Sequence, residues 1–239
     1  PSHGRAALAA AEKAIRAALE GRFAAVVGAP HTEAAVHAAG IEFDGYPSFV
    51  ARLCGLEPED AILMLCFRHG GRELRIAHAT LHTSVRVALA MITIPRVAKT
   101  VRAAHDALVK LGIERPKIAV SGVNPHAGES GALGREEIEV IDPALEQARG
   151  EGIVADGPFG ADTLVQRAGY DAYVVMLHDQ GHVAAKALAP RRIAALTLGT
   201  PVLFSSVGHG SALDIAGQGR ADATAMREAI TRLVGNRGF

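Results

Sequence analysis

Apolar residues along this chain fall alternately into short continuous runs and longer stretches with helical spacing. Ala6 to Leu19 is Ala-rich and helical, and Phe23 to Val27 is a short strand broken by Gly28-Ala29-Pro30. Thr32 to Ala39 is a helix closed by Gly40. Ala61 to Phe67 and Leu74 to Thr80 are strands on either side of a turn at His69-Gly70-Gly71. Val97 to Leu111 is an amphipathic helix ended by Gly112. Lys117 to Ser121 is a strand, Glu136 to Arg149 a helix with a break expected at Pro143, and Ala172 to Leu177 a strand. Gly181 to Leu188 is helical, Ile193 to Leu198 and Pro201 to Ser206 are strands, and Ala223 to Val234 is a closing helix. This alternation predicts an α/β fold with a largely parallel sheet. The chain opens on a helix where α/β folds commonly open on a strand, so a preceding N-terminal part is expected to be missing. No repeat, low-complexity segment or Pro- or Ser-rich linker interrupts the pattern.

Composition narrows the function classes. Lys and Arg total 25 and Asp and Glu total 25. With no basic run or interleaved aromatic stripe, nothing points to nucleic acid. No stretch of about 18 apolar residues suits a bilayer, and no charged-then-apolar leader opens the chain. A cytoplasmic protein with no membrane partner is expected. Aromatic residues make up only 4% of the chain, which leaves the core to aliphatic side chains. Cys54 and Cys66 lie in or beside apolar runs and are expected as free thiols.

Ligand sites in α/β folds lie beyond the carboxyl ends of the strands. Polar clusters follow several of the apolar runs. Ala79-Thr80-Leu81-His82 follows the second strand of the hairpin, and His78 and His82 compete as the one that faces a site. Asn124-Pro125-His126-Ala127-Gly128-Glu129 follows Lys117 to Ser121, and has more polar groups than a plain turn needs. His178-Asp179-Gln180-Gly181-His182 follows Ala172 to Leu177, with Lys186 further along. His, Asp and Gln together are costly to bury unless they bind something, although Asp179 also suits a helix start. His82, His126 and His178 thus stand one at each of three strand ends. Three neutral imidazoles with an open position suit Zn²⁺ or a similar divalent ion, but spacing alone does not establish that they converge. Asp162 could add a carboxylate; from local sequence, capping the following helix is its simpler role. The last cluster, His209-Gly210-Ser211-Ala212-Leu213-Asp214-Ile215-Ala216-Gly217-Gln218-Gly219, lacks a Rossmann fingerprint. It offers backbone donors and, in Asp214, a carboxylate able to accept from ribose hydroxyls.

At these residues a family likeness enters. The loop His209 to Gly219 resembles the adenosine-binding loop of the isocitrate and isopropylmalate dehydrogenase fold. The Asp214-Ile215 pair implies NAD rather than NADP, because the carboxylate would repel a 2′-phosphate. Asn124 to Glu129, Gly157 to Thr163, and His178 to Gly181 with Lys186 together resemble the 4-hydroxythreonine-4-phosphate dehydrogenase family, over about Ala6 to Val234. That resemblance implies two α/β/α domains. The nucleotide-side domain would comprise 1–45 and 200–239, and the metal, substrate and dimerisation domain 46–199. The family's N-terminal strand and Gly-rich turn have no counterpart here, and without them the pocket would be incomplete. The resemblance implies a divalent metal on His82, His126 and His178 (Zn first, with Mg, Mn or Co as alternatives), shared across a homodimer. It also implies Asp162 near the metal and Lys186 at the substrate. Asp162, Asp179 and Lys186 are the expected catalytic residues. His209, Gly210, Ser211, Ala212, Asp214, Ile215 and Gly217 are expected at the cofactor, and Tyr46, Pro47, Asn124 and Lys186 at a small hydroxy-acid substrate.

Departures from the biosynthetic pattern bear on the substrate. A Gly-His-Thr trio is replaced by Gly45-Tyr46-Pro47, a substrate-binding Asn by Ala195 and a substrate-binding Arg by Phe204; an early Lys is replaced by Glu33. An apolar ring does not replace an Arg fork at a phosphate. The same positions resemble the terephthalate dihydrodiol dehydrogenase branch, which implies oxidation of 1,2-dihydroxy-3,5-cyclohexadiene-1,4-dicarboxylate to protocatechuate with loss of CO₂. The alternative is oxidation of 4-hydroxythreonine-4-phosphate or a related four-carbon phospho-acid. A non-catalytic metal- or nucleotide-binding protein is the rival from another class.

Overall fold

A computed structural model describes residues 2–190 and 192–234. In chain order the elements begin α1 (Ser2–Leu19), β1 (Val26–Gly28), α2 (Glu33–His37), α3 (Tyr46–Leu53), β2 (Ile62–His69) and β3 (Arg72–His78). Next come α4 (Val85–Met91), α5 (Ile94–Lys110), β4 (Lys117–Ser121), α6 (Asp142–Gly150), β5 (Val154–Phe159) and β6 (Ala172–Val175). The chain continues with α7 (His178–Leu188), β7 (Ala194–Leu198), β8 (Phe204–Val207) and α8 (Thr224–Val234). It divides into two compact units, 1–61 with 191–239, and 62–190. Their boundaries fall outside those expected at 45/46 and 199/200, because α3 packs with α1 and β7 in the first unit. The α/β architecture with a mainly parallel sheet is the one the sequence pattern predicts, and helices cover both sheet faces.

In the first unit, the strand order is β1-β8-β7, with β1 parallel and β7 antiparallel to β8. The Ala-rich α1 buries Leu8 and Ile15 on one side. It crosses α2 closely at Gly4, where an added Cβ would lie 2.2 Å from the Ala35 carbonyl oxygen. Leu8, Ile15, Val26, Val36, Phe43, Tyr46, Val50, Val202 and Phe204 form the core.

The second unit has the order β2-β3-β6-β4-β5. Gly70 and Gly71, both at positive φ, close the β2–β3 hairpin in register Phe67 to Leu74. Beyond it, β3 and β6, β6 and β4, and β4 and β5 are all parallel pairs. The connection from β3 to β4 runs through α5. Its N-cap Thr93 accepts from the Arg96 amide, and Pro95 occupies the first turn. Val97, Val101, Ala104 and Leu108 line its buried side. Full burial of a side chain such as Leu108 contributes ~1.5–3 kcal/mol. The break expected at Pro143 is a π-helical turn over Glu137–Ile141, after which Pro143 sits in the first turn of α6. The wider turn accommodates a proline that lacks an N–H and crowds the preceding carbonyl. Cys54 is partly exposed and Cys66 is buried, and no disulfide joins them. Among the described residues no helix is long and apolar enough to cross a membrane.

His78 fixes how α7 lies on the sheet. It is fully buried at the end of β3, and its Nδ1 donates to the Leu63 carbonyl, 3.2 Å away. That bond leaves Nε2 as a bare lone pair, buried and without a hydrogen-bond partner. Helix α7 reaches this ring through Gly181, where an added Cβ would lie 2.2 Å from Nε2. Burial, reinforced by nearby His182, pushes the His78 pKa down to about 3, so the native ring stays neutral. Burial likewise lowers His182, to about 4.

Two predictions follow from this packing. An unfolded His78 takes up a proton below its ordinary pKa of 6.5, whereas the native one does not until about pH 3. Its contribution is therefore complete above pH 6.5 and is lost as pH falls towards 3. Between neutrality and pH 5 the metal-free protein should lose on the order of 2 kcal/mol through this group. The half-buried His182 should add a smaller, solvent-screened share. Urea midpoints across that range test the slope, which should flatten in His78→Asn. Second, Gly181→Ala should destabilise the protein by about 1–3 kcal/mol through overpacking. A wild-type melting temperature for Gly181→Ala would disprove the close approach.

Candidate active site

Because β3, β6, β4 and β5 are parallel neighbours, their carboxyl ends share one edge of the sheet. The loops leaving those ends carry His82, the Asn124 to Ser130 turn, the Gly160 to Thr163 segment, and His178. The ladder continues past the strands: the Ala79 and Thr80 amides donate to the Val175 and Met176 carbonyls, and the buried Thr80 hydroxyl donates to Met176 at 2.7 Å. The two early histidines differ in their surroundings. His78 is the core residue and His82 the exposed one.

His82 and His178 come together, with ring centroids 5.5 Å apart. His178 opens α7 and donates from Nδ1 to the Asp179 carboxylate at 2.6 Å, which leaves its Nε2 lone pair available. Asp179 is exposed, and the bond from His178 holds its carboxyl below the usual carboxylate range. One turn on, His182 stacks on His178 with centroids 3.7 Å apart and planes 11° from parallel. Its Nδ1 donates to the His178 carbonyl. Lys186 follows another turn along, exposed, and about 12 Å from His178 along the axis by helix geometry.

His126 sits in a left-handed turn, in which His126, Ala127, Gly128, Glu129 and Ser130 all have φ between 44° and 78°. The carboxylate of Glu137, only 2% exposed, holds the base of this turn. Its Oε1 accepts from the Val123 and Asn124 amides at 2.7 and 2.8 Å, and its Oε2 from Asn124 Nδ2 at 2.9 Å. Asn124 Nδ2 also donates to Glu136 at 2.7 Å. The Asn124 amide group, expected at the substrate, is thus committed to the loop through its nitrogen. Gln180 joins this loop to α7: its Oε1 accepts from the Met176 and Leu177 amides, and its Nε2 donates to the Gly122 carbonyl. Gly160 brings the third segment alongside. A Cβ added there would be 3.8 Å from His126 Cα and 2.8 Å from Asp162 Oδ1. The expectation that Asp162 caps a helix is corrected: the N-cap of the short 3₁₀ turn Leu164–Gln166 is Thr163, without a side-chain capping bond. Asp162 is exposed.

A divalent ion needs several such ligands. Among the described residues, no three His, Cys, Asp or Glu side chains are grouped closely enough to hold one. The expected trio is therefore brought together only in part within this chain: His82 pairs with His178, and His126 lies on a neighbouring strand end. The donor chemistry of the pair does fit a metal. Both imidazoles are exposed enough to ligate, and the His178–Asp179 bond is the outer-shell contact that fixes a ligating tautomer.

In the first unit, the loops after the parallel β1 and β8 also leave from one edge. Thr32 donates to Ser211 across them at 2.8 Å, and Gly210 approaches the His31 carbonyl. Ala212 is left-handed, at φ 47°, and leads into the 3₁₀ turn Leu213–Ile215, which exposes Asp214. Gln218 donates to the Asp214 carbonyl at 2.8 Å, and Gly217 turns the chain at φ 74°. His209 is exposed, and its Nδ1 donates to the Gly210 carbonyl. The loop thus presents an exposed carboxylate on a pinned backbone.

Tyr46 and Phe204 lie in the core: Phe204 is fully buried, and Tyr46 is 8% exposed. Their rings are 4.9 Å apart, and Tyr46 also packs edge-on against His31 and Phe43. Pro47 is partly exposed beside them, in the first turn of α3. The side chain of Glu33 lies outside the described residues. Glu137, the tie that Gln180 makes between loops, and the stacking of His182 are features that local sequence pattern does not reveal. Only His182 had a usable signal, its one-turn spacing from His178.

Residues 1–233 match the sequence model of the family described as pyridoxal phosphate biosynthetic protein PdxA. A 1,2-dihydroxy-3,5-cyclohexadiene-1,4-dicarboxylate dehydrogenase of Comamonas sp is 46% identical over 233 residues, covering 98% of this chain and 73% of that protein. A 4-hydroxythreonine-4-phosphate dehydrogenase of Chromobacterium violaceum is 42% identical, covering 96% of this chain and 70% of that one. The crystal structure of a terephthalate 1,2-cis-dihydrodiol dehydrogenase from Burkholderia xenovorans LB400 superposes with a TM-score of 0.79 at 45% identity, over 96% of this chain and 72% of that one. A β-decarboxylating dehydrogenase of Thermococcus kodakarensis shares the fold alone, with a TM-score of 0.56 at 16% identity over 87% of this chain and 64% of that one. By the family match and by relatives above two-fifths identity over nearly its whole length, this chain belongs to the PdxA family of dehydrogenases.

Proposed function

We propose that the protein is an NAD-dependent, divalent-metal-dependent dehydrogenase that oxidises a terephthalate cis-dihydrodiol to protocatechuate with loss of CO₂, working as a cytoplasmic homodimer with a shared metal site. The observation that supports this substrate over a phosphorylated one is the burial of Phe204. At the position where the biosynthetic pattern carries an arginine, a fully buried ring packs against Tyr46, and Ala195 offers no amide. A phosphate would find neither cation nor donor at those positions.

In this reading His82, His126 and His178 hold the ion, which supplies Lewis-acid polarisation of the substrate oxygen when bound. The loop from His209 to Gly219 would hold NAD, which would supply the acceptor for the hydride lost from the carbinol carbon. The carboxylate β to the new ketone would leave as CO₂, its bonding pair forming the third double bond of the ring and the resulting enolate oxygen taking up a proton to give the catechol. Asp179 keeps the His178 proton on Nδ1, so that Nε2 carries the lone pair that would hold the ion. Asp162 and Lys186 are the candidates for moving the hydroxyl proton or orienting a substrate carboxylate. Asp214 accepts from ribose hydroxyls and disfavours a 2′-phosphate by charge repulsion, while Ser211, tied to Thr32, steadies the loop.

NADH formation should be seen with the dihydrodiol and Zn²⁺, and not with 4-phosphohydroxythreonine. The reverse pattern would reject the substrate assignment, and NADH formation with neither would remove the activity itself. His178→Ala should lower turnover of the diol by at least about 100-fold. Asp214→Ala should raise KM for NAD by roughly 10-fold or more, the loss of one charge-assisted hydrogen bond, and narrow the preference over NADP. An unchanged KM for NAD would remove Asp214 from the cofactor site.

A further inference from the structure

The turn that carries His126 is costly as an isolated piece of chain. Four non-glycine residues, His126, Ala127, Glu129 and Ser130, sit at positive φ. Each is disfavoured relative to right-handed backbone, because the side chain crowds the carbonyl oxygen. Side-chain preference does not explain the conformation, since alanine has no polar group to compensate locally. Something outside the turn must hold it.

The structure assigns that task to Glu137: we propose that it is the positioning residue that fixes the left-handed turn and thereby sets where His126 stands. Its carboxylate is almost wholly withdrawn from water and accepts from three N–H groups at the base of the turn. Bonds to a carboxylate are stronger than those between neutral groups, and three of them together can oppose the strain of the turn. The seat is made by two glycines. A Cβ on Gly122 would lie 2.8 Å from Oε1, and one on Gly128 would lie 2.6 Å from Oε2. The carboxylate therefore occupies the space that side chains at those two positions would need. Glu137 itself lies in the π-helical turn before α6, and its buried neighbour Ile141 anchors that turn in the core. The geometry of His126 is thus set from the α6 side, and not by the proline and glycines of its own loop alone. Through Gln180 the same loop is tied to the start of α7, so the His126 and His178 segments share one support.

This inference rests on reading His126 as a metal ligand, and its test separates the two. Zn²⁺ binding to the 239-residue chain would be measured by calorimetry, with backbone amide exchange recorded on the metal-free protein. Glu137→Gln keeps one acceptor oxygen but turns an NH₂ towards Asn124 Nδ2. It should weaken Zn²⁺ binding by about 10-fold to 100-fold, the usual cost of losing an outer-shell partner. The Val123 and Asn124 amides should exchange faster while β4 keeps its protection. Asn124→Ala, which removes one of the three donors, should show the same changes in milder form, and serves if Glu137→Gln does not fold. His126→Ala provides the reference. If it weakens Zn²⁺ binding and the Glu137 and Asn124 variants do not, the positioning role is overturned and the ligand assignment stands. If His126→Ala binds Zn²⁺ as the wild type does, the ligand assignment fails and the inference falls with it.

Discussion

Parallel pairing is the constraint from which the rest of this molecule follows. A strand that runs parallel to its neighbour must be reached by a crossover, and every loop that leaves a strand end then emerges on the same edge. In the second unit this constraint acts on four strands at once, and segments separated by dozens of residues in sequence become neighbours. His82 and His178 meet because β3 lies beside β6. The Asn124 turn stands next in line because β4 is on the other side of β6. No local preference of these polar residues would bring them together. Hydrophobic burial of α5, α6 and α7 against the sheet does so, and the polar ends are carried along.

Once the loops are delivered to one edge, buried polar groups decide their finer geometry. Thr80 extends the β3–β6 ladder past the last strand residue, Gln180 bonds to two amides of its own loop and one carbonyl of the next, and Glu137 accepts from three donors. Each is satisfied by backbone or by neighbouring side chains, as buried polar groups must be. His78 differs. It gives up a partner for Nε2 in exchange for a close approach of α7 at Gly181, and its neutrality under burial makes that arrangement tolerable. The consequence is a His178 ring flanked by three firm features: Asp179 on Nδ1, the stacked His182, and a helix held against the sheet below it.

How much of this was legible in the sequence depends on the range of the interactions. The strand–helix alternation was legible because burial patterns repeat locally, and Lys117–Ser121 begins and ends where expected. Val154–Phe159 was not, since its exposed Val154 and its Asp-Gly-Pro centre carry no apolar run, and only pairing with β4 makes it a strand. Tyr46–Leu53 and Val85–Met91 were also missed, the latter being short and largely exposed on Val85, Val87 and Leu89. The strand-end clusters of the site were visible as polar exceptions after apolar runs. Their geometry was not. A left-handed turn of mostly non-glycine residues has no local signature, and Glu137 looks in sequence like one more charge in Arg135-Glu136-Glu137. Asp162 looked like a cap because it precedes a helical turn, yet the neighbouring Thr163 takes that position.

On the proposed function, Phe204 illustrates why substrate choice in such a fold would change by groups of residues. Its ring fills space bounded by Tyr46 and by Gly28, where even a Cβ would come within 2.8 Å of Phe204 Cζ and 3.2 Å of the Tyr46 ring. An arginine placed there alone would carry its charge into a core of Val26, Phe43, Val50 and Val202, with no acidic partner among those residues. Burying an unpaired charge costs several kcal/mol, comparable to the whole stability of a typical domain. A phosphate-binding version of this wall would therefore need Tyr46 and its neighbours to retreat together, so that the guanidinium reaches water or an anion. The joint departure from the biosynthetic pattern at Tyr46, Pro47, Ala195 and Phe204 is, on the proposed function, what such coupling requires. On the proposed function, the apolar core of the first unit is the physical record of a changed substrate, while the histidine-bearing edge of the second unit retains the chemistry.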